Sequence, residues 1–211
     1  IDWVRVYEAC TTDQDGCLPK SNRSVRVTEE RALSFETWSA ERRVHHIGDF
    51  DGDGVDDLLL RARTEDDGTF WIPGASGIET FSPAVEVTDS ALMWSALWCD
   101  AYRDAVVGDF NGDEADDLML PTRGEYHESY LLLGGAEPFD DYVVVTDSWG
   151  LTNPLWSAEG RQTFAADVSG DGADDLILLA HDGEDLSFLL VADGQGGFYD
   201  AVSLEDVSTL N

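Results

Sequence analysis

Three copies of one nine-residue acidic loop constrain this chain more than any other feature. They are Asp49-Phe-Asp51-Gly-Asp53-Gly-Val55-Asp-Asp57, Asp109-Phe-Asn111-Gly-Asp113-Glu-Ala115-Asp-Asp117 and Asp167-Val-Ser169-Gly-Asp171-Gly-Ala173-Asp-Asp175, starting 60 and then 58 residues apart. Each carries oxygen side chains at loop positions 1, 3, 5 and 9. Position 7 holds Val55, Ala115 or Ala173, whose side chain cannot ligate but whose carbonyl can. Carboxylates packed this closely repel: two unit charges at 4 Å cost roughly 4 kcal/mol at a near-surface effective dielectric of about 20. A folded loop of this kind therefore wants a hard, oxygen-seeking cation of flexible coordination, and calcium fits best. The expectation is three Ca2+ sites, built from Asp49, Asp51, Asp53, Val55 and Asp57, from Asp109, Asn111, Asp113, Ala115 and Asp117, and from Asp167, Ser169, Asp171, Ala173 and Asp175. The plainer alternative is that these Asp-Gly repeats are solvated hairpin turns.

Gly52, Gly112 and Gly170 recur at position 4, where a residue free to take positive φ lets the chain curl its oxygens inward. At position 6 the second copy has Glu114 where the others have Gly54 and Gly172. If that position is left-handed, the side chain costs on the order of 1 kcal/mol. Asn111 and Ser169 replace Asp51, so formal ligand charge, and with it expected affinity, is highest in the first loop. An EF-hand shares the Asp-x-Asp-x-Asp-Gly opening but needs a bidentate Glu at position 12 and flanking helices. Here position 12 is Leu60, Leu120 or Leu178, inside short apolar runs, so the loop joins two strands.

The period near 60 extends beyond the loops and calls for a repeat architecture. Upstream of each loop stands Trp-Ser-Ala, at Trp38, Trp94 and Trp156, followed by a short apolar strand. Downstream come a Leu-rich strand, an aromatic-led strand (Phe70-Trp-Ile72, Tyr130-Leu-Leu-Leu133, Phe188-Leu-Leu-Val191), a turn, and a last strand expected to start near Phe81, Phe139 or Phe198. Four short strands per unit, punctuated by Gly, Asp and Pro, is the pattern of a propeller blade, so the expected class is all-β with few helices.

Gly48-Asp-Phe-Asp-Gly-Asp-Gly-Val-Asp-Asp-Leu58, Gly108-Asp-Phe-Asn-Gly-Asp-Glu-Ala-Asp-Asp-Leu118 and Ala166-Asp-Val-Ser-Gly-Asp-Gly-Ala-Asp-Asp-Leu176 resemble the FG-GAP and VCBS repeats, found in the β-propellers of integrin α subunits, in bacterial surface proteins and in fungal lectins. The likeness spans about residues 29 to 207. It implies calcium, a secreted or cell-surface setting, and a role in adhesion or recognition, without identifying a ligand. A second resemblance, carried by Ile1-Asp-Trp-Val-Arg-Val-Tyr-Glu8 alone, is to the terminal strand of laminarinase-like jelly-roll glycoside hydrolases; an ordinary amphipathic strand reads the same way.

The repeat count departs from the family, because propellers typically have four to eight blades. Residues 29–88, 89–146 and 147–211 read as three whole units. Residues 1–28 read as a partial blade or edge strands, with Val25-Arg-Val-Thr-Glu29 aligned on Val85-Glu-Val-Thr-Asp89 and Trp3 to Tyr7 as the strand before it. Open sheet edges are sticky, so either flanking repeats are missing or another chain completes the array. Self-association into a filament through strand pairing between copies is therefore one expected alternative, and an accessory glycan-binding region of a polysaccharide-degrading enzyme is another.

Net charge is −32, with a single Lys, and three calcium ions would bring it only to −26. Such a surface repels nucleic acid and anionic membranes. The acid excess suits a saline habitat and an extracellular calcium protein equally. No apolar leader and no run long enough to span a membrane occurs, which reads as a mature or excised product. Cys10 and Cys17 bracket a short loop, and their pairing would fit an oxidising compartment. Cys99 is left over and reads as a buried thiol. Asn22-Arg23-Ser24 is a glycosylation sequon if the source glycosylates secreted proteins.

Catalytic constellations are missing from the pattern. Gly74-Ala-Ser-Gly77 misses the nucleophile elbow by one residue and reads as a turn. His45, His46, His127 and His181 have neither the spacing nor the Cys partners of a zinc site. Arg123-Gly-Glu125 has Glu where an integrin-recognition tripeptide has Asp. The expectation is a non-enzymatic protein. The recurring Trp residues read as packing groups first and as sugar-stacking platforms second.

Overall fold

Each acidic loop is the bend of a hairpin, and the strands on either side start a four-stranded antiparallel sheet. A computed structural model of the chain describes residues 38–75, 82–87, 98–124, 128–140, 142–145, 151, 160–182 and 186–204, together with the backbone pairing of 4–5 and 24–25. In the first unit β3 (Arg43–Gly48), β4 (Asp57–Ala62), β5 (Phe70–Ile72) and β6 (Val85–Glu86) lie side by side in chain order. β7 (Val106–Gly108), β8 (Asp117–Leu120), β9 (Tyr130–Leu132) and β10 (Tyr142–Val144) repeat that arrangement, and so do β11 (Arg161–Ala166), β12 (Asp175–Ala180), β13 (Phe188–Leu190) and β14 (Val202–Ser203). The register pins every loop in the same way, pairing Gly48 with Asp57, Gly108 with Asp117 and Ala166 with Asp175. Ahead of these, β1 (Val4–Arg5) pairs antiparallel with β2 (Ser24–Val25). Cys10, Cys17, Asn22, Trp94, Trp156 and His127 lie outside the described residues.

The three sheets stack in order, and β7 lies beside both β3 and β11. Successive strand residues point to opposite faces, so the middle sheet feeds two cores. Leu118, Leu120, Tyr130 and Leu132 face the first sheet, where Phe50, Leu59, Trp98 and Phe139 join them. Met119 and Leu131 face the third, packing with Phe110, Leu176, Leu178, Phe188 and Leu190. Burial on both faces is why Leu118-Met-Leu120 is a continuous apolar run rather than an alternating one.

An unforeseen arginine brackets each sheet. Arg43, Arg103 and Arg161 are buried, and each lies over the aromatic ring that opens the third strand, 5.3 Å from Phe70, 4.8 Å from Tyr130 and 5.6 Å from Phe188. Each Nε donates to a backbone carbonyl two residues before that ring, of Gly68, Glu128 and Leu186, at 3.1, 3.0 and 3.0 Å. A cation thus sits on an aromatic face while its Nε–H is paired with a backbone carbonyl. The last strands begin later than expected, at Val85, Tyr142 and Val202. Phe139 and Phe198 precede them as buried plugs, with ring centroids 5.2 Å from Phe50 and 5.5 Å from Phe110. Hydrophobic packing between units claims both aromatics, although Phe198 also forms an isolated antiparallel bridge with Ala192; Phe81 lies outside the described residues.

Candidate metal centre

The loops fold alike down to individual hydrogen bonds. Position 4 is left-handed in all three, with φ of 69° at Gly52, 74° at Gly112 and 80° at Gly170. Position 6 is left-handed as well, at 85° for Gly54, 97° for Gly172 and 72° for Glu114, so the second loop carries the side-chain strain expected there. The first aspartate turns its carboxylate into the bend. Asp49 accepts N–H bonds from Asp53 at 3.0 Å and Gly54 at 2.8 Å, Asp109 from Gly112, Asp113 and Glu114, and Asp167 from Gly170, Asp171 and Gly172. Position 5 accepts from the N–H of position 7, through Asp53, Asp113 and Asp171. At position 3, Asp51 and Asn111 accept from the position 5 N–H at 3.2 and 2.9 Å, and the Ser169 hydroxyl donates to Asp167 at 3.5 Å.

Position 9 is built differently. Asp57, Asp117 and Asp175 are buried and tie the loop to the following turn. Asp57 accepts from Phe50 N at 3.1 Å, Trp71 Nε1 at 2.9 Å and Gly74 N at 2.6 Å. Asp117 accepts from Phe110 N and Gly134 N, and Asp175 from Val168 N, Ser169 N and Ala192 N. Gly74 is thus held by Asp57, while Ser76 and Gly77 of the turn expected at Gly74-Ala-Ser-Gly77 lie outside the described residues. A carboxylate has about four lone-pair sites, so two or three N–H donors still leave capacity for a further partner.

Ligand oxygens of Asp49, Asp51 and Asp57 come within 4.8 Å of one another. Asp53 stands outside that triad, more exposed at the loop tip. In the other loops Asn111 and Ser169 take the place of Asp51, so the corresponding triads hold two carboxylates each. Burial, and after it crowding, shows in the acidities. Burial first, then the charges of Asp57 and Asp53, raises Asp51, and burial raises Asp57 against the pull of its N–H donors. Asp117 is pushed up to about 7, chiefly by burial and further by Asp113 and Asp109. An all-oxygen donor set fits a hard cation and lacks the imidazole and thiolate ligands that suit zinc and copper.

Consecutive loops also touch. Asp116, at position 8, accepts the Asp49 N–H at 2.8 Å and donates its own N–H to the Asp49 carbonyl at 2.8 Å. Asp174 holds Asp109 in the same two ways, at 3.2 and 2.6 Å. Gly48 and Gly108 make room for this clasp: a Cβ at Gly48 would lie 2.6 Å from Asp116 Oδ2, and one at Gly108 2.7 Å from Asp174 Oδ2. Sequence reasoning missed position 8, although Asp-Asp at positions 8 and 9 recurs in every copy.

Elsewhere the basic groups are occupied structurally. Arg61, buried at 1% exposure, donates to the carbonyls of Trp98, Arg103 and Asp104 and pairs with Asp100 at 3.1 Å. Arg123 pairs with Asp100 at 3.0 Å. Cys99 is a buried thiol that burial pushes up in pKa. His45 and His46 lie on the edge strand β3. No helix among the described residues is long and apolar enough to cross a membrane.

No protein-family model matches the chain, and no curated protein does. Among solved structures, the chain is similar in fold to a lectin of Agrocybe aegerita described as specifically recognising non-reducing terminal N-acetylglucosamine. The TM-score is 0.57 at 24% identity, over 78% of this chain. The chain spans 39% of that lectin's length.

Proposed function

We propose that this chain is a non-enzymatic, calcium-binding recognition module of the FG-GAP and VCBS kind, secreted or displayed at a cell surface, with its three stacked sheets as consecutive blades of a propeller. The observation that carries the calcium reading is the Asp49, Asp51 and Asp57 triad within 4.8 Å, on a loop whose backbone recurs twice more. Asp49, Asp51, Asp53 and Asp57, with the Val55 carbonyl, would hold the ion in the first loop, and their counterparts in the second and third. Bound calcium supplies positive charge to bends that otherwise repel themselves. At extracellular millimolar levels and a Kd of about 10⁻⁴ to 10⁻³ M, each site contributes roughly 0.4 to 1.4 kcal/mol. Three sites together supply about 1 to 4 kcal/mol, a large part of a marginal fold.

The test is a thermal melt with calcium and with excess EGTA, alongside calorimetric titration. Chelation is expected to lower Tm by about 2 to 16 °C, with the loop-one share of the binding heat lost in Asp49→Asn combined with Asp51→Asn. An unchanged melt and no binding heat would remove calcium from the account.

The fold likeness to a lectin favours glycans as what the module recognises. A glycan array run in calcium tests this, and an array without hits returns the ligand to the protein class.

A further inference from the structure

We propose that neighbouring calcium loops are coupled, because the position 8 aspartate of each loop positions the first ligand of the loop before it. This rests on the calcium reading above and adds Asp116 and Asp174 to it as positioning residues. Asp49 is the first ligand of loop one, yet loop two holds its backbone, receiving its N–H on Asp116 Oδ2 and returning the Asp116 N–H to its carbonyl. Asp109 stands in the same relation to Asp174. Both backbone polar groups of the residue that supplies the first carboxylate are therefore fixed from the next loop.

The coupling follows from the order this imposes. A cation in loop two rigidifies the segment from Asp109 to Asp117, and with it Asp116. Loop one then binds with its first ligand already restrained, so less conformational entropy remains to be lost. Linkage makes the benefit mutual. Two divalent ions in adjacent loops would repel each other, and the Asp116 carboxylate, lying between the two loops, counters that repulsion. Half-buried Asp116 and Asp174 touch the preceding loop's backbone rather than its ligand oxygens in the bonds described, which separates them from the ligand set itself.

Calcium titration followed by NMR tests the idea, since glycine amides report each loop separately: Gly52 and Gly54 the first, Gly112 the second, Gly170 and Gly172 the third. In Asp116→Ala the midpoint for loop one should rise about five-fold or more, with loop three unmoved. Asp116→Asn keeps the N–H acceptor and should recover part of that loss, the remainder being the charge effect. Asp174→Ala should move loop two instead. Asp56→Ala measures what losing position 8 does to its own loop. Should Asp116→Ala fold poorly, Asp113→Asn weakens loop two while leaving the clasp in place, and it too should raise the loop one midpoint. Unchanged loop one midpoints in Asp116→Ala and Asp113→Asn, with calcium still bound, overturn the coupling alone. If calcium moves no glycine amide in the parent chain, the calcium reading fails and the coupling goes with it.

Discussion

Loops two and three share a backbone but not a fate at position 2. Phe110 is fully buried, between Phe198 and the core of the third sheet, whereas Val168 is 54% exposed. Phe50 in the first loop behaves as Phe110 does, with Phe139 against it. Immediately before the loops stand Gly48, Gly108 and Ala166, and the two glycines lie where the next sheet leaves no space for a Cβ. On β11 the exposed Phe164 occupies the position of Val106, which packs against the core between the second and third sheets. The acidic motif therefore builds its own bend, while burial of the residues around it depends on a neighbouring sheet. The same nine-residue code is a joint between sheets in two places and a surface loop in the third.

The largest difference between the two loops lies at position 2. Phe110→Ala should cost about 3 to 5 kcal/mol by urea unfolding, while Val168→Ala should stay within about 0.5 kcal/mol; comparable losses would mean that something covers the third loop. One residue earlier, Gly108→Ala forces a Cβ to 2.7 Å from both Ala165 and Asp174. Overpacking of this kind costs about 1 to 3 kcal/mol, whereas adding bulk at the third loop by Ala166→Val should leave the melt nearly unchanged.

Acid sharpens the contrast at the position of Val106 and Phe164, which His46 fills in the first sheet. Burial, then the charges of Arg61 and His45, pushes His46 down to about 3, and its Nε2 is buried with no hydrogen-bond partner. The folded pKa lies below the unfolded value of about 6.5, so the unfolded chain takes up the proton first. Stability is therefore unaffected by this group above pH 6.5 and falls as pH drops from there towards 3. By pH 5.5 the loss is about 1.4 kcal/mol. Carboxyl groups such as Asp117, raised in the fold, act with the opposite sign, so the measurement is the difference between the parent chain and His46→Val across that window. A constant difference would show that His46 is solvated.

The smallest effect lies at position 6. Glu114→Gly relieves a left-handed non-glycine residue, and stability should rise by about 1 kcal/mol with the fold otherwise unchanged. A loss instead would mean that the Glu114 side chain makes a compensating contact.

Much of the candidate centre was legible because it is local. The side chains at loop positions 1, 3 and 5 make hydrogen bonds within a few residues, so side-chain type and spacing suffice to read them. The left-handed conformation at positions 4 and 6 follows from glycine placement, and Glu114 obeys it because the bend, not its own preference, sets φ. Positions 8 and 9 were harder. Asp57 and Asp117 reach turns 17 residues away, and Asp116 and Asp174 reach loops more than 60 residues back. Nothing in a local window separates such carboxylates from ligands. The arginines that stack on Phe70, Tyr130 and Phe188 carried a usable signal, since they recur at the spacing of the loops, but a charged residue at a strand end also reads as ordinary solvation.

By itself the sequence determined the hairpin bends, their inward-turned oxygens, the strand order within each unit and the repeat itself, because all of these arise from contacts between residues close along the chain. Only the tertiary structure decided which faces of the strands form the two cores, that Phe139 and Phe198 plug the sheets instead of opening the last strands, and that position 8 ties one loop to the next. Those outcomes depend on surfaces meeting across about sixty residues of chain, where close packing between sheets, rather than local propensity, sets what is buried and what is shared.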